Sequence, residues 1–540
     1  MNTYGRTLAV TPDDNPNDNE ILLGVYDNGV RVSKGKLHDA GPDDVRMGDQ
    51  LVFFSPASGK VLGYAHVRAR NGERVTLSEP VPGVVPWQGD NPQELTLVYS
   101  IDSVGNFVVR DSKFMDSMRV GIIVKARGGV IWGNTIEGTS APGVFAANEP
   151  DWPEGPPPSH LWVQGNTFSQ NNYSYMSRHR DHLFVDPADI SVYTRRFRDP
   201  NVADNHLAFV THGQATNNHV KLIGNTFHDW RGMGISVRTA KNVQIENNVF
   251  LPPVQDEMLR GTLNEDPAST ADGTGRYAAI FLDSVDGGRI ARNTAIGLPA
   301  GDALVARATG VTHLDETQNN KLDAMPAAEV SFSFSEWFGT TSASGVTLDG
   351  ATHVAGRLGA GLWFDGKQAR AEWKSTDGTN PTSSNALTVS LWVRTEAGGA
   401  KTQVIYTQGD VTSGLVIALD DGRLIAGVWQ DGRGAWLDLG PAGDRVWTHV
   451  SLVCDGPTRE LHGYVNGREV ASAKSGVPSQ FGSVASAVFG GASKSPVRIA
   501  SDRQINAGGS SFRGTIDEFR LFRRAISAPE ASILALRRPE

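Results

Sequence analysis

Apolar and polar residues alternate in short runs that end, again and again, in a polar residue, one spacer and an aromatic or aliphatic residue. Aligned on that last apolar position, the segments Phe107–Phe114, Val130–Ile136, Leu161–Phe168, Val220–Phe227 and Val243–Phe250 are copies of one unit, and Arg289–Ile296 is a looser copy. The positions equivalent to the asparagine are Ser112, Asn134, Asn166, Asn225 and Asn248, spaced by 22, 32, 59 and 23 residues. A period near 22 with insertions predicts the coils of a parallel β-helix, because one coil cannot bury its apolar face alone and must stack on the next. The asparagine is expected at a sharp turn, tolerating the left-handed region and stacking as an amide ladder between coils. Such residues are scaffold. Chemistry is therefore sought where the period breaks, between Val144 and His160 and between Gln170 and His219.

Ahead of the repeat, Val45–Phe54, Val61–Val67 and Val75–Leu77 read as three short strands divided by Gly, Ser and Asn turns, a small barrel-like insert. Behind it the texture changes. Strand signals at Leu387–Val393, Val404–Tyr406, Gly414–Leu419, Leu424–Trp429, Trp447–Val453, Leu461–Val465 and Gly514–Phe522 alternate with Gly and Asn turns, the pattern of a two-sheet sandwich. The expected organisation is all-β. Residues 1–98 hold an incomplete N-terminal coil and the barrel insert, 99–313 a right-handed parallel β-helix, 314–328 a polar linker and 329–540 a jelly-roll sandwich.

Composition agrees with a turn-rich β protein: Gly is 60 of 540 residues, with 39% hydrophobic and 20% charged residues. The net charge of −9, from 50 basic and 59 acidic residues, comes without a long basic run, so no nucleic-acid partner is expected. The single cysteine, Cys454, excludes an intrachain disulfide and sits in an apolar run as an inert thiol. No stretch approaches the roughly 20 apolar residues of a membrane span. The first residues lack the apolar core of a signal peptide, yet the chain opens abruptly in polar sequence, as though truncated. The expected location is secreted, periplasmic or at the cell surface.

Two resemblances sharpen this reading. From about residue 329 to the end the chain resembles the laminin-G-like, concanavalin-type jelly roll, through Gly359–Gly366, Leu387–Val393, Trp447–Val450, Tyr464–Val470 and Phe512–Ser527. That resemblance implies an accessory carbohydrate-binding module with one structural Ca²⁺, for which Asp365 and Asp517 are the matching positions; the alternative is that both are turn and strand-end residues bonded to backbone. The first module resembles the glycoside hydrolase family 110 of exo-acting α-1,3-galactosidases, parallel β-helices with small inserted barrels. Carrying it are Met47–Phe54, Asp116–Ile123, the Asp151-Trp-Pro-Glu-Gly155 element and the repeated Asn-x-Phe coils. Pro153 stands where that family has an aromatic residue.

Glycoside hydrolysis needs two carboxyl groups about the scissile bond, and the inversion implied by the resemblance calls for a separation of roughly 6.5–9.5 Å. The candidate catalytic residues are Glu149, Asp151 and Glu154, with Trp152 as a platform for a sugar ring. Asp116 and Arg119, and Arg178 and Asp181 in the next insertion, are candidate substrate-binding residues, lining the same groove if the coils stack in register. The competing reading of the acidic cluster is an ordinary solvated loop. The run His179–His182 also permits a metal. No phosphate loop, Gly-x-Ser-x-Gly elbow or His-Glu-x-x-His motif is present. The expected function is exo-hydrolysis of terminal α-galactosyl or similar residues on an oligosaccharide or polysaccharide, with no cofactor for catalysis. The alternatives are a non-catalytic glycan-binding or adhesion protein and a β-helix polysaccharide lyase. The oligomeric state is left open.

Overall fold

Every copy of the repeat folds into short strands that pair in parallel with their counterparts one coil away. This is the architecture of the computed structural model, which describes residues 2–3, 8–11, 19–26, 37–39, 45–87, 95–102, 105–148, 155–173, 178–179, 182–183, 187–194, 216–254, 278–308, 310–324, 328, 330–332, 334, 346–357, 360–373, 383–482, 487–491, 497–500, 503–505 and 510–535. The chain divides into two units, Met1–Ala324 and Met325–Glu540.

Three strand stacks form the solenoid. One holds Asn2–Thr3, Ile122–Val124, Val144–Ala147, Ala188–Tyr193 and the first halves of Met233–Glu246 and Ala278–Ala291. The second holds Gly105–Arg110, Arg127–Trp132, Ser159–Gln164, Lys221–Ile223, the second halves of the same two long strands, and Thr312–Thr317. The third runs from Lys113–Met115 to Asn320–Leu322. Inside, Phe168 stacks on Phe227 at 5.1 Å and Phe227 on Phe250 at 4.6 Å, nearly parallel. The next rung is Ala295, not Ile296. Aligning on the last apolar residue slips this looser copy by one, whereas Asn293 keeps it in register.

The amide ladder runs through six coils. Each Nδ2 of Asn134, Asn166, Asn225, Asn248 and Asn293 donates to the Oδ1 of the next asparagine at 2.9–3.1 Å, ending at Asn319. The same amides donate to the backbone carbonyls of Val109, Ile131, Val163, Leu222 and Ile245. Their Oδ1 atoms also accept the preceding rung's backbone N–H, from Ser112 onward. One detail differs from expectation. The left-handed residue is the one before the asparagine: Gly133, Gly165, Gly224, Asn247, Arg292 and Gln318, with φ of 55–66°. The turn residue bends the chain, and this leaves the asparagine side chain aimed inward, where both its donor and acceptor capacity are used.

The stretch 314–328, expected as a linker, begins inside the solenoid. Residues 312–322 form its last described coil, closing the ladder at Asn319. Its polar composition follows from exposure: among the described residues no further coil covers it.

The barrel is an insertion in the first described coil, between Asn2–Thr3 and Gly105–Arg110. Six antiparallel strands close on themselves in the order Leu8–Thr11, Leu97–Ser100, Gln50–Ser55, Lys60–Asn71, Arg74–Leu77 and Glu20–Tyr26, which returns to Leu8–Thr11. Leu51, Phe53, Ala65, Val67 and Val75 fill its interior on alternate positions.

In the second unit two antiparallel sheets of eight and seven strands enclose one core, including Leu362, Phe364, Val389, Leu391, Ile417, Leu452, Phe489 and Phe519. Cys454 lies in that core and burial pushes its thiol pKa up. A short helix, Ala528–Leu534, is started by Ser527 and Glu530 capping each other's backbone N–H and packs Leu534 against Tyr464 and Phe522. Among the described residues no helix is long and apolar enough to cross a membrane.

Candidate functional site

The first and second stacks meet at a corner where the solenoid carries its bulk. The barrel, the insert between Ala147 and Ser159 and the insert between Tyr193 and Asn217 all leave the coils there. Later coils turn the same corner tightly, through Thr239 and Ser284 at φ of 55° and 53°. Parallel register lines up one residue per coil beside this corner: Arg127, Ser159, Asn218, Lys241, Asp286 and Thr312. The next residue in each coil is left-handed: Gly128, His160, His219, Asn242, Gly287 and His313. Rungs of a parallel sheet are about 4.8 Å apart, so these side chains form a polar row running along the solenoid.

Between that row and the barrel lies a groove of about 760 Å³, lined by Lys60, Val61 and Tyr64 of the barrel and by Thr216, Asn218, Lys241, Ser284, Asp286, Gly310, Thr312 and His313 of the corner. A smaller hollow adjoins it through Val61, Tyr64 and Thr216, and adds Arg127, Pro156, Pro157 and Ser159. Tyr64 is 45% exposed, so part of this aromatic residue is open to solvent. Burial of its phenol raises the pKa, while Arg127 pulls the other way. Arg127 itself donates to Gln50 of the barrel at 3.0 Å. Beside it His160 and His219 stack at 4.8 Å, and desolvation, Arg127 and His219 together lower the pKa of His160, so its ring is held neutral.

Asp286 is the carboxylate among the described lining residues. Its Oδ1 accepts from the Thr312 hydroxyl at 2.7 Å and meets His313 Nδ1 at 2.7 Å. The His313 and Thr312 hydrogen bonds, with a smaller contribution from Lys241, lower its pKa. It is ionised at neutral pH, the state a base or nucleophile starts from, and its lowered pKa does not suit it to be the acid.

The residues singled out from sequence distribute as follows. Glu149, Asp151, Trp152 and Glu154 lie outside the described residues, as does Asp181. The described flank of their insert, Pro156 and Pro157, borders the hollow next to Tyr64. Asp116 and Arg119 are exposed on the turn between the third and first stacks, Asp116 with φ of 53°. The insert bearing Arg178, in the short strand Arg178–His179, leaves from that same turn, after Thr167–Ser169. The Arg178 insert therefore leaves from the turn that carries Asp116 and Arg119, whereas the insert between Ala147 and Ser159 leaves from the next corner. A strand of three to six residues, roughly 10–20 Å, separates the two corners.

Asp365 and Asp517 do not come together. Asp365 pairs opposite Arg513, and Asp517 lies four residues further along that strand, about 13 Å away. Asp365 Oδ1 accepts the N–H groups of Lys367, Gln368 and Ala369, which hold its pKa down. Asp517 accepts from Arg357 N–H at 2.7 Å and from Glu518 N–H at 2.8 Å. Both carboxylates are engaged by backbone, and among the described residues no group of three His, Cys, Asp or Glu could hold a metal. The pair does not fit a shared calcium site.

Sequence reading missed Lys60, Tyr64, Asn218, Lys241, Asp286 and His313. A signal existed. Each residue of the polar row lies seven positions before a ladder asparagine: Arg127 before Asn134, Ser159 before Asn166, Asn218 before Asn225, Lys241 before Asn248, Asp286 before Asn293 and Thr312 before Asn319.

With the geometry in place, comparison with known proteins gives two family matches. Residues 98–250 match the model of the right-handed β-helix region, and residues 365–532 match that of the concanavalin A-like lectin/glucanase superfamily. The first unit thus contains a right-handed β-helix region and the second a concanavalin-like domain. Neither match is specific to α-galactosidases. No curated protein matches. Among solved structures, the binding domain of botulinum neurotoxin serotype G is 16% identical, with 39% of this chain and 50% of that one covered and a TM-score of 0.30. Domain 4 of the extracellular arabinanase AbnA from Geobacillus stearothermophilus, solved with arabinotriose, is 22% identical, covering 35% and 87% at 0.27. A pentraxin from Limulus polyphemus is 16% identical, covering 32% and 80% at 0.26. The chain spans about half the length of the neurotoxin binding domain.

Proposed function

We propose that the protein is an exported, exo-acting glycoside hydrolase that holds the end of a glycan chain in the groove between the barrel and the solenoid corner, with the sandwich as an accessory carbohydrate-binding module. The observation that carries the reading is Asp286, a carboxylate hydrogen-bonded to His313 and Thr312 in a groove also lined by the half-exposed Tyr64. Asp286 is the base, and the acid comes from among Glu149, Asp151 and Glu154 of the insert whose described end, Pro156 and Pro157, borders the hollow. A groove of this size falls within the roughly 300–1,000 Å³ of small-molecule sites. The family match of the second unit, whose description names lectins and glucanases, agrees with a carbohydrate partner.

The test is a screen of nitrophenyl α- and β-glycosides and defined oligosaccharides, repeated on Asp286→Asn and on the Glu149→Gln, Asp151→Asn and Glu154→Gln variants. Asp286→Asn and one of the three insert variants should each lower kcat by about 10²–10⁴-fold with an unchanged melting temperature, the range for loss of a positioned acid or base. Full turnover in Asp286→Asn removes that residue from the chemistry. Binding without turnover in the wild type favours a glycan-binding or adhesion protein, and an unsaturated product seen by ultraviolet absorbance would make it a lyase.

A further inference from the structure

The chain as a whole is acidic, at −9, whereas the described lining of the groove is not. Its described lining and that of the adjoining hollow hold three permanent cations, Lys60, Lys241 and Arg127, against the one carboxylate of Asp286. That carboxylate already has partners in His313 and Thr312. Arg127 is turned to Gln50. Lys60 comes from the barrel wall and Lys241 from the solenoid row, and among the described residues neither ammonium makes an ion pair. Lys60 and Lys241 line one concave site from the barrel and from the solenoid row, with Asp286 one rung from Lys241 as the carboxylate among the described lining residues.

Resting on the reading of the groove as the glycan site, we infer that its ligand is an acidic sugar, carrying a carboxylate or a sulfate that sits between Lys60 and Lys241 while the apolar face of the ring lies on Tyr64. The oxygens of a carboxylate or sulfate accept several N–H bonds at once, and flexible lysine stems meet them without imposing a planar, bidentate geometry. A neutral hexose offers the ammonium groups only hydroxyl acceptors and no opposite charge. Asp286, kept ionised one rung from Lys241, sets the register: the anionic substituent is directed to the lysines and away from the carboxylate.

The experiment measures equilibrium binding of the full chain to three immobilised trimers: galacturonate, sulfated galactose and neutral galactose. The acidic trimers should bind at least five-fold more tightly than the neutral one at physiological salt. Lys60→Gln and Lys241→Gln should each weaken acidic-trimer binding about two- to five-fold, the range for a single exposed charge pair, and leave the neutral trimer within two-fold. The advantage should disappear at high salt. Whether the carboxylated or the sulfated trimer gains more tells the two anions apart, and a gain by either carries the inference. An acidic advantage that survives in the Lys60→Gln, Lys241→Gln double variant, or equal binding of all three trimers, overturns it. Tyr64→Ala then shows which reading failed: loss of all trimer binding keeps the groove as the glycan site, and unchanged binding removes it. No binding by any trimer overturns both.

Discussion

Two corners of the same coils have opposite characters. At one, five buried asparagines repeat with little variation, each donating to the next along the stack, and the partly buried Asn319 closes the row. At the other, the aligned positions are an arginine, a serine, an asparagine, a lysine, an aspartate and a threonine, and three insertions leave from the same place. Both rows sit on one parallel register with the same rise per coil. The difference is solvent. A buried amide tolerates only a neighbour that satisfies it, which selects the same residue in coil after coil, whereas a row facing water and a groove is free to differ at every rung.

That contrast can be tested by removing an asparagine from each row. Asn225→Ala should have the larger effect, because it strips partners from both neighbouring rungs: the amide and backbone N–H of Asn166, the carbonyl of Val163 and the Oδ1 of Asn248. With a buried unsatisfied group costing about 1–3 kcal/mol each, a loss of roughly 3–5 kcal/mol is expected in the melting of the solenoid. Asn218 also meets an amide one coil on, accepting from Asn242 Nδ2 at 3.0 Å, but at an exposed position. Asn218→Ala should cost under about 0.5 kcal/mol. Equal losses at the two sites would mean that burial is not what separates the corners.

A third variant probes a polar group that breaks the pattern from inside. Asp189 points into the lumen in a column whose other members are Gly143, Gly234 and Ala279. Burial raises its pKa well above the usual carboxylate range, with a hydrogen bond to Asn171 opposing, and its Oδ2 has no partner. A raised folded pKa means that its contribution to stability is complete below the unfolded value near 3.8 and is lost as pH rises through the folded pKa. Asp189→Asn removes this dependence. Its melting temperature should match the wild type at low pH and exceed it increasingly toward neutral pH; a constant offset across the range would show that Asp189 does not titrate differently on folding.

The other unit holds a buried titratable group with the opposite pH dependence. His449 is fully buried against Ser390, and its pKa is lowered to about 3 by desolvation and by Arg520. A depressed histidine stabilises above its unfolded value near 6.5 and loses that contribution as pH falls toward 3. His449→Gln should flatten the acid limb of the sandwich's melting profile between those values, while leaving the solenoid transition in place.

Much of the fold was legible in the sequence because the solenoid's constraint is local. A strand, a left-handed turn residue and a buried asparagine recur within a few residues, so Asn134, Asn166, Asn225 and Asn248 could be aligned by eye. Two details escaped for physical reasons. The left-handed residue is Gly133 or Gly165 and not the asparagine itself, since the side chain, not the backbone, of the asparagine is what the stack requires. Alignment on Ile296 failed because apolar character alone does not distinguish the two neighbouring residues that both lie buried, Ala295 and Ile296. The groove was harder to see. Tyr64 and Lys60 belong to a barrel, and Asn218, Lys241 and Asp286 to three different coils, so nothing in their spacing resembles a motif until the ladder supplies a ruler.

That ruler has a further meaning for how such a protein changes over generations. With the ladder fixing position, each coil contributes one interchangeable letter to the groove, and a single substitution seven residues ahead of an asparagine rewrites one letter without disturbing the frame that holds the line.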